Sequence, residues 1–185
     1  MLTPDAALDR LDAALAAARA AGADAADAVY MGDGAGHVSV RLGQLEDIGR
    51  AEGEEVGLRV FVGQRSASVS SSDLTPAALA EAAERAVAMA RLAPEDPFAG
   101  LAPEDRLATG VLPDPDIDDP TEVPAALLKE RALACEDAAR GVAGITNSEG
   151  ASASASVVVM ALATSTGFRG ARRSTSHSLS ASVVA

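Results

Sequence analysis

The alternation of apolar and polar positions is clearest between residues 56 and 92. In Val56–Gly63 every second residue is aliphatic, which indicates a strand with one buried face. A turn at Gly63 leads to Arg65–Ser72, whose small side chains are typical of a return strand. The residues Asp73-Leu74-Thr75-Pro76 then start a helix that we expect to end near Leu92. The pattern therefore predicts a hairpin followed by an amphipathic helix.

Two further helices are predicted from their end signals. Thr3, followed by a proline and an acid, is typical of an N-cap, and Gly22 is typical of a C-cap. A third helix is predicted over Thr121–Arg140, with its threonine as the N-cap and Gly141 as the stop. All three helices are rich in alanine, so we expect them to pack closely on a sheet.

The strands before the hairpin are predicted to be short. Ala26–Met31 and His37–Leu42 alternate in polarity, and the glycines of Gly32–Gly36 indicate a hairpin turn between them. Gln44–Arg50 continues the meander, and the acids of Glu52–Glu55 indicate a turn before the next strand. Residues 1–93 are therefore predicted to form an α+β domain, an antiparallel meander packed by alanine-rich helices.

The second half of the chain has a different composition. Residues 94–120 hold six prolines among many acids, which disfavours helix and central strand and indicates an extended linker. After the third helix, Ala151–Ser165 and the segment from Phe168 onward read as strands rich in serine. We expect residues 121–185 to start a second domain of mixed structure. We also expect the chain to be the N-terminal part of a larger protein.

Charge is distributed unevenly along the chain. The net charge is −12, which disfavours binding to nucleic acid, because neutralising phosphates requires clustered Lys and Arg. Residues 151–185 nevertheless contain three arginines and no acid. The candidates for a surface that contacts a peptide or a partner are Arg65, Arg169, Arg172, Arg173 and His177. An ordinary solvated strand face is the alternative. Arg65 and the serines of Ser66–Ser72 could line a peptide-binding face.

No catalytic or metal-ligating motif is present in the sequence. The two histidines, His37 and His177, are far apart, and no HExxH-type motif occurs, so we predict no catalytic and no metal-binding residue. Serines flank His177, so composition leaves a catalytic triad open, but no GxSxG motif supports it. A single cysteine, Cys135, favours a reducing cytoplasm, and no apolar run is long enough to cross a membrane.

Four segments together resemble one known family. They are GLRVFVGQRSASVSSSDLTP, ARLAPEDPFAG, ITNSEG and STSHSLS, and they are similar to the N-terminal half of the TldD/PmbA family, most of all its PmbA (TldE) branch. The resemblance implies a cytoplasmic subunit that pairs with a TldD-like subunit in a zinc-dependent peptidase acting on unfolded or extended peptides. The family is also described as a modulator of DNA gyrase. Its HExxxH motif belongs to the TldD branch and lies beyond the matched region.

Three functions remain open from the sequence. The first is a non-catalytic PmbA-like subunit without a cofactor of its own, the zinc being held by the partner. The second is an interaction module with no protease role. The third is part of an active metallopeptidase whose metal site lies outside this chain.

Overall fold

The computed structural model describes residues 1–108, 110 and 113–185. These described residues form three α-helices and five β-strands. They are α1 (Pro4–Ala21), β1 (Ala25–Arg41), β2 (Gln44–Val62), β3 (Arg65–Ser71), α2 (Pro76–Leu92), α3 (Ala125–Arg140), β4 (Asn147–Thr164) and β5 (Arg169–Val184). Between α2 and α3, the described residues form one short 3-10 turn at Glu104–Arg106 and otherwise neither helix nor strand.

The strands form one antiparallel sheet in the order β3-β2-β1-β4-β5. This confirms the predicted α+β class. β4 and β5, which the sequence analysis placed at the start of a second domain, join the same sheet as β1, β2 and β3. The division of the chain into residues 1–93, 94–120 and 121–185 stays a prediction.

Two of the turns predicted before the hairpin are wrong. β1 runs without interruption through Gly32–Gly36, and β2 runs through the acids of Glu52–Glu55. At Gly32 the reason is packing, because a Cβ atom there would lie 2.3 Å from the hydroxyl oxygen of Tyr30. Glycine at this position therefore makes room for a buried tyrosine within a strand, and it does not end the strand.

The described chain divides into two compact units. The first unit comprises Met1–Gly32, Gly53–Asp116 and Val159–Arg173. In it, α1 and α2 pack against each other, and α2 packs on β3. Its core consists of aliphatic side chains and one tyrosine, among them Leu11, Tyr30, Val60, Leu79 and Val87, all of which are buried.

The end signals of α1 and α2 are confirmed. The Thr3 hydroxyl accepts a hydrogen bond from the amide of Ala6, and the Thr75 hydroxyl accepts one from Ala78. Gly22 caps α1 in the left-handed conformation, with φ of 99°. Both helices start with proline in the first turn, where its missing N–H costs nothing.

The second unit comprises Asp33–Glu52, Ile117–Val158 and Ser174–Ala185. Its core brings α3 onto β1 and β4, with Leu128 and Ala132 packed against Val38, Val40 and Ala151. Among α1, α2 and α3 as the described residues form them, no helix is long and apolar enough to cross a lipid bilayer.

The start of α3 differs from its prediction. The helix begins at Ala125 with Pro124 as its N-cap, rather than at Thr121. Because the residue before a proline is driven into an extended conformation, Pro124 prevents the helix from starting earlier. The amide of Thr121 instead donates to the Asp119 carboxylate at 2.8 Å, which closes a local turn. The helix ends at Arg140, with Gly141 as its C-cap as predicted.

Candidate functional site

The predicted binding residues lie on the two edge strands of the sheet. Arg65 begins β3, at one edge, whereas the other four belong to β5, at the opposite edge. The guanidinium of Arg65 donates to the carbonyl oxygen of Arg91 at 2.9 Å and to the carboxylate of Glu95 at 3.1 Å. A cation is favourable at a helix C-terminus, so Arg65 joins the start of β3 to the end of α2.

The three arginines of β5 belong to the first unit. Arg169 forms ion pairs with Asp12 at 2.8 Å and Asp9 at 3.4 Å on α1. The hydrogen bond to Asp12, with the charges of both acids, raises the pKa of Arg169. Arg173 is half-buried, whereas Arg172 is exposed and has no hydrogen-bond or ion-pair partner among the described residues. Arg172 is therefore the arginine of β5 most accessible to a binding partner.

His177 belongs to the second unit and is exposed on β5. Its neighbour is Asp119, whose pKa is lowered mainly by hydrogen bonds from Thr121 and to a lesser extent by the charge of His177. The amide of Asp119 donates to the hydroxyl of Thr175, and its carboxylate accepts from the amide of Thr121. His177 thus presents an exposed imidazole beside an acid that is held by local hydrogen bonds.

A groove that the sequence did not reveal lies on the first unit. Its cavity volume is about 550 Å³. The lining includes residues at alternate positions of four strands, namely Asp27 and Val29 of β1, Gly57 and Arg59 of β2, Ser68 and Ser70 of β3, and Leu162 of β4. These positions alternate with the core residues that face the helices, so the groove lies on the helix-free face of the sheet. Ser68 and Ser70 of this lining are among the serines after Arg65 that the sequence analysis proposed for a peptide-binding face.

One ion pair dominates the electrostatics of the groove. Arg59 donates to both carboxylate oxygens of Asp27, with Nε 3.0 Å from Oδ1. Its guanidinium also lies 5.1 Å from the ring centroid of the buried Phe61, a cation–π contact. The hydrogen bond to Asp27 raises the pKa of Arg59. The positive charge is therefore held in place, next to the exposed aliphatic side chains of Val29 and Leu162.

In the second unit, a buried carboxylate clamps the turn between β1 and β2. Glu136 of α3 is fully buried and accepts hydrogen bonds from the amides of Leu42 at 2.7 Å and Gly43 at 2.8 Å. It also accepts one from the hydroxyl of Ser148 at 2.5 Å. Burial acts to raise the pKa of Glu136, but these hydrogen bonds and the nearby Arg140 outweigh it, and the pKa is lowered. This arrangement orders the turn and engages both oxygens of the Glu136 carboxylate.

The described residues do not fit a zinc ion. Among them, no group of three or more His, Cys, Asp or Glu side chains is placed to hold a metal. His37 is used in a pair with Asp47, its Nε2 lying 2.7 Å from the carboxylate. Neither unit therefore offers, in its described residues, the donor set that a catalytic zinc requires.

Comparison with known proteins places the chain in a family. Residues 33–90 match domain 1 of the PmbA/TldA metallopeptidases, and residues 118–185 match the central domain of the same proteins. Together the two matches cover more than half of the chain. The chain belongs to the PmbA/TldD metallopeptidase family.

Two curated members of the PmbA/TldD family are similar in sequence. The chain is 36% identical over 149 residues to the metalloprotease PmbA of Escherichia coli O157:H7. It is 33% identical over 148 residues to the metalloprotease PmbA homolog of Haemophilus influenzae. Each match covers 80% of this chain and 33% of the relative. The chain therefore spans about a third of the length of these relatives.

Solved structures of similar proteins share the fold. A candidate modulator of DNA gyrase from Bacteroides thetaiotaomicron superposes with a TM-score of 0.88 and 24% identity, covering 99% of this chain and 42% of that one. TldE from Thermococcus kodakarensis gives a TM-score of 0.80 at 17% identity over 94% of this chain and 39% of that one. At such identities the likeness establishes the fold of this PmbA/TldD family member.

Proposed function

We propose that this chain is part of a PmbA/TldE-like subunit that acts with a TldD-like partner as a zinc-dependent peptidase on unfolded or extended peptides. The observation that carries the proposal is the match to the metalloprotease PmbA of Escherichia coli over 80% of the chain. In this assignment the chain itself is non-catalytic and works in the cytoplasm, and zinc is held by the partner.

The geometry supports a binding role for this chain. The groove of the first unit presents hydroxyl groups, a fixed guanidinium and two exposed aliphatic side chains along the strand direction. Gly57 leaves its floor open, so a peptide backbone could lie close to the sheet. Such a lining suits an extended peptide of varied sequence, since few of its groups demand one particular side chain.

The basic residues of β5 are proposed for the same role at a second place. Among the five predicted residues, Arg172 is exposed on the first unit without a partner in the described chain, and His177 is exposed on the second. Arg65 and Arg169 are each held by carboxylates of their own unit, which makes them the weaker candidates. Arg173 is the fifth residue that the sequence predicts for this role. We assign these residues to contacts with the TldD-like partner or with the peptide.

The test is reconstitution with a purified TldD-like subunit. The mixture is expected to cleave an unfolded peptide only when zinc is present, and each component alone is expected to be inactive. A chelator should abolish cleavage, and added zinc should restore it. Cleavage by this chain alone, with zinc and without a partner, would overturn the non-catalytic assignment.

A second candidate function follows from the relatives' printed name. They are called metalloproteases, and two-thirds of their length lies outside the span matched by this chain. If a metal site occurs in that remainder, the subunit would itself be an active metallopeptidase. Zinc analysis of the purified full-length relative distinguishes the two, because a non-catalytic subunit should carry no stoichiometric zinc.

A further inference from the structure

The N-terminal half of β2 leaves one side of its backbone unpaired. β3 pairs with β2 from Val56 to Val62, and the pairing ends at Val56 opposite Ser71. In the second unit, the segment Gln44–Glu52 therefore has β1 on one side and no strand of the described chain on the other. We call this segment the β2 edge. Every second residue along such an edge turns its N–H and C=O groups outward, away from the neighbouring strand.

The β2 edge has only part of the usual protection of a solvated strand. Four of its nine residues are charged, but it contains no proline and no lysine, two of the residues by which natural edges commonly avoid pairing. Leu45 and Ile48 are 46% and 56% exposed, which adds apolar surface beside the open backbone. The β5 edge of the same unit differs, because Ile117 accepts a backbone hydrogen bond from Thr175 at 2.9 Å and so covers it locally.

The β2 edge is also held in a fixed shape. Its preceding turn places Leu42 and Gly43 at positive φ, 50° and 75°, and Glu136 binds both amides. Farther along, Asp47 pairs with His37 across the two strands at 2.7 Å. A strand that is already straightened and clamped loses little entropy when another strand adds to it.

The charges of the β2 edge favour a basic occupant. Glu46, Asp47 and Glu52 outnumber the single Arg50. Arg50 and Glu52 form an ion pair and offset each other, so Glu46 and Asp47 give the segment its net negative charge. An added strand that carries lysine or arginine would therefore meet a field of opposite sign.

We propose that the β2 edge binds an extended, basic segment of an unfolded peptide by strand addition, through backbone hydrogen bonds. The inference rests on the proposed function, because the occupant is the peptide on which the peptidase complex would act. It adds a docking site formed by residues other than those of the groove and of β5, and it names the charge of the preferred peptide.

The probe is a fluorescent peptide of about ten residues that alternates lysine and valine, the length of a typical strand. Its binding to the 185-residue chain is measured by fluorescence anisotropy without any partner subunit. Two control peptides are used, one alternating glutamate and valine, and one lysine–valine peptide N-methylated at three adjacent central amides. Because adjacent residues donate on opposite sides of a strand, these methyl groups block both of its edges.

The lysine–valine peptide is expected to bind at least about tenfold more tightly than either control, since the controls lose charge complementarity or backbone hydrogen bonds. In the protein, Glu46→Lys should weaken binding about threefold to tenfold. Glu81→Lys, the same change on the exposed face of α2, should leave binding unaltered. Equal binding of the N-methylated peptide, or equal effects of the two substitutions, would overturn the proposal.

The competing occupant is a second copy of the chain. Sedimentation equilibrium of the unmodified chain is expected to show a monomer whose β2 edge is free, and a dimer disrupted by Glu46→Lys would overturn the peptide assignment. The proposed function is tested separately by zinc-dependent cleavage with the partner. If the complex cleaves the peptide but the β2 edge does not bind it, the β2-edge site is refuted and the proposed function stands. If the β2 edge binds the peptide but the complex cleaves nothing, the peptidase role is refuted and the site stands.

Discussion

Replacing Glu136 by glutamine tests the buried clamp of the second unit. The carboxylate accepts three hydrogen bonds, from the amides of Leu42 and Gly43 and from the hydroxyl of Ser148. The glutamine carbonyl oxygen retains at most two of these, and its NH₂ group then faces an N–H or O–H donor. Hydrogen bonds to charged acceptors are worth about 1.5–3 kcal/mol, and neutral ones about 1 kcal/mol.

We expect the free energy of unfolding to fall by about 2–3 kcal/mol in the Glu136→Gln variant, less than the loss of all three charged hydrogen bonds would give. The loss is limited because Leu42 and Gly43 are exposed, so water can reach their amides once the carboxylate is gone. The measurement is urea denaturation followed by far-UV circular dichroism. Glu130→Gln is the matched control, because Glu130 lies on the exposed face of the same helix and should change stability by less than about 0.5 kcal/mol.

The loss of stability in the Glu136→Gln variant should also depend on pH. The pKa of Glu136 is lowered in the folded protein, so its contribution to stability is present above the pKa of the unfolded chain. That contribution disappears as the pH falls through the lower, folded pKa. The stability difference between the unmodified chain and Glu136→Gln should therefore shrink in acid. Equal stabilities of the Glu136→Gln and Glu130→Gln variants at neutral pH would refute the clamp.

Three further substitutions probe other parts of the molecule. Tyr30→Phe removes a hydroxyl that accepts a hydrogen bond from the amide of Leu2 and donates one to Glu54, each at 2.8 Å. The free energy of unfolding, followed by thermal denaturation, should fall by about 1–2 kcal/mol, and an unchanged midpoint would contradict this prediction. Thr75→Ala removes the N-cap of α2 and should cost about 0.5–1 kcal/mol in urea, and a stabilised variant would be inconsistent with capping. Arg172→Glu should weaken association with a TldD-like partner about tenfold and leave the unfolding midpoint unchanged, and an unaltered affinity would remove Arg172 from the interface.

Local chemistry predicted the helices better than it predicted the strands. Thr3, Thr75 and Gly22 act at positions set by their immediate neighbours, and the structure confirms all three as caps. The glycines of Gly32–Gly36 indicate a turn when only their neighbours in the sequence are considered. The contact that explains Gly32 comes instead from the buried side chain of Tyr30 in the folded strand. Packing of this kind is invisible to a pattern of turn residues.

The clamp at Glu136 left a signal that could have been recognised. Leu128, Ala132 and Glu136 recur every four residues, so one acid falls on the buried stripe of α3. An acid in such a position must find donors, and the sequence did not show that they lie in a distant turn. The groove was missed for a related reason, since its lining comes from four strands whose order the sequence did not reveal.

The clamp has a consequence for biosynthesis. Glu136 lies 94 positions after Leu42 in the chain, so the ribosome makes the β1–β2 turn long before the residue that fixes it. At about 5–20 residues per second, the interval is about 5–20 s. Throughout that time the nascent hairpin lacks its carboxylate and offers an open strand edge. Faster translation of the intervening codons would therefore shorten the time for which this open edge is exposed to chaperones that hold extended segments.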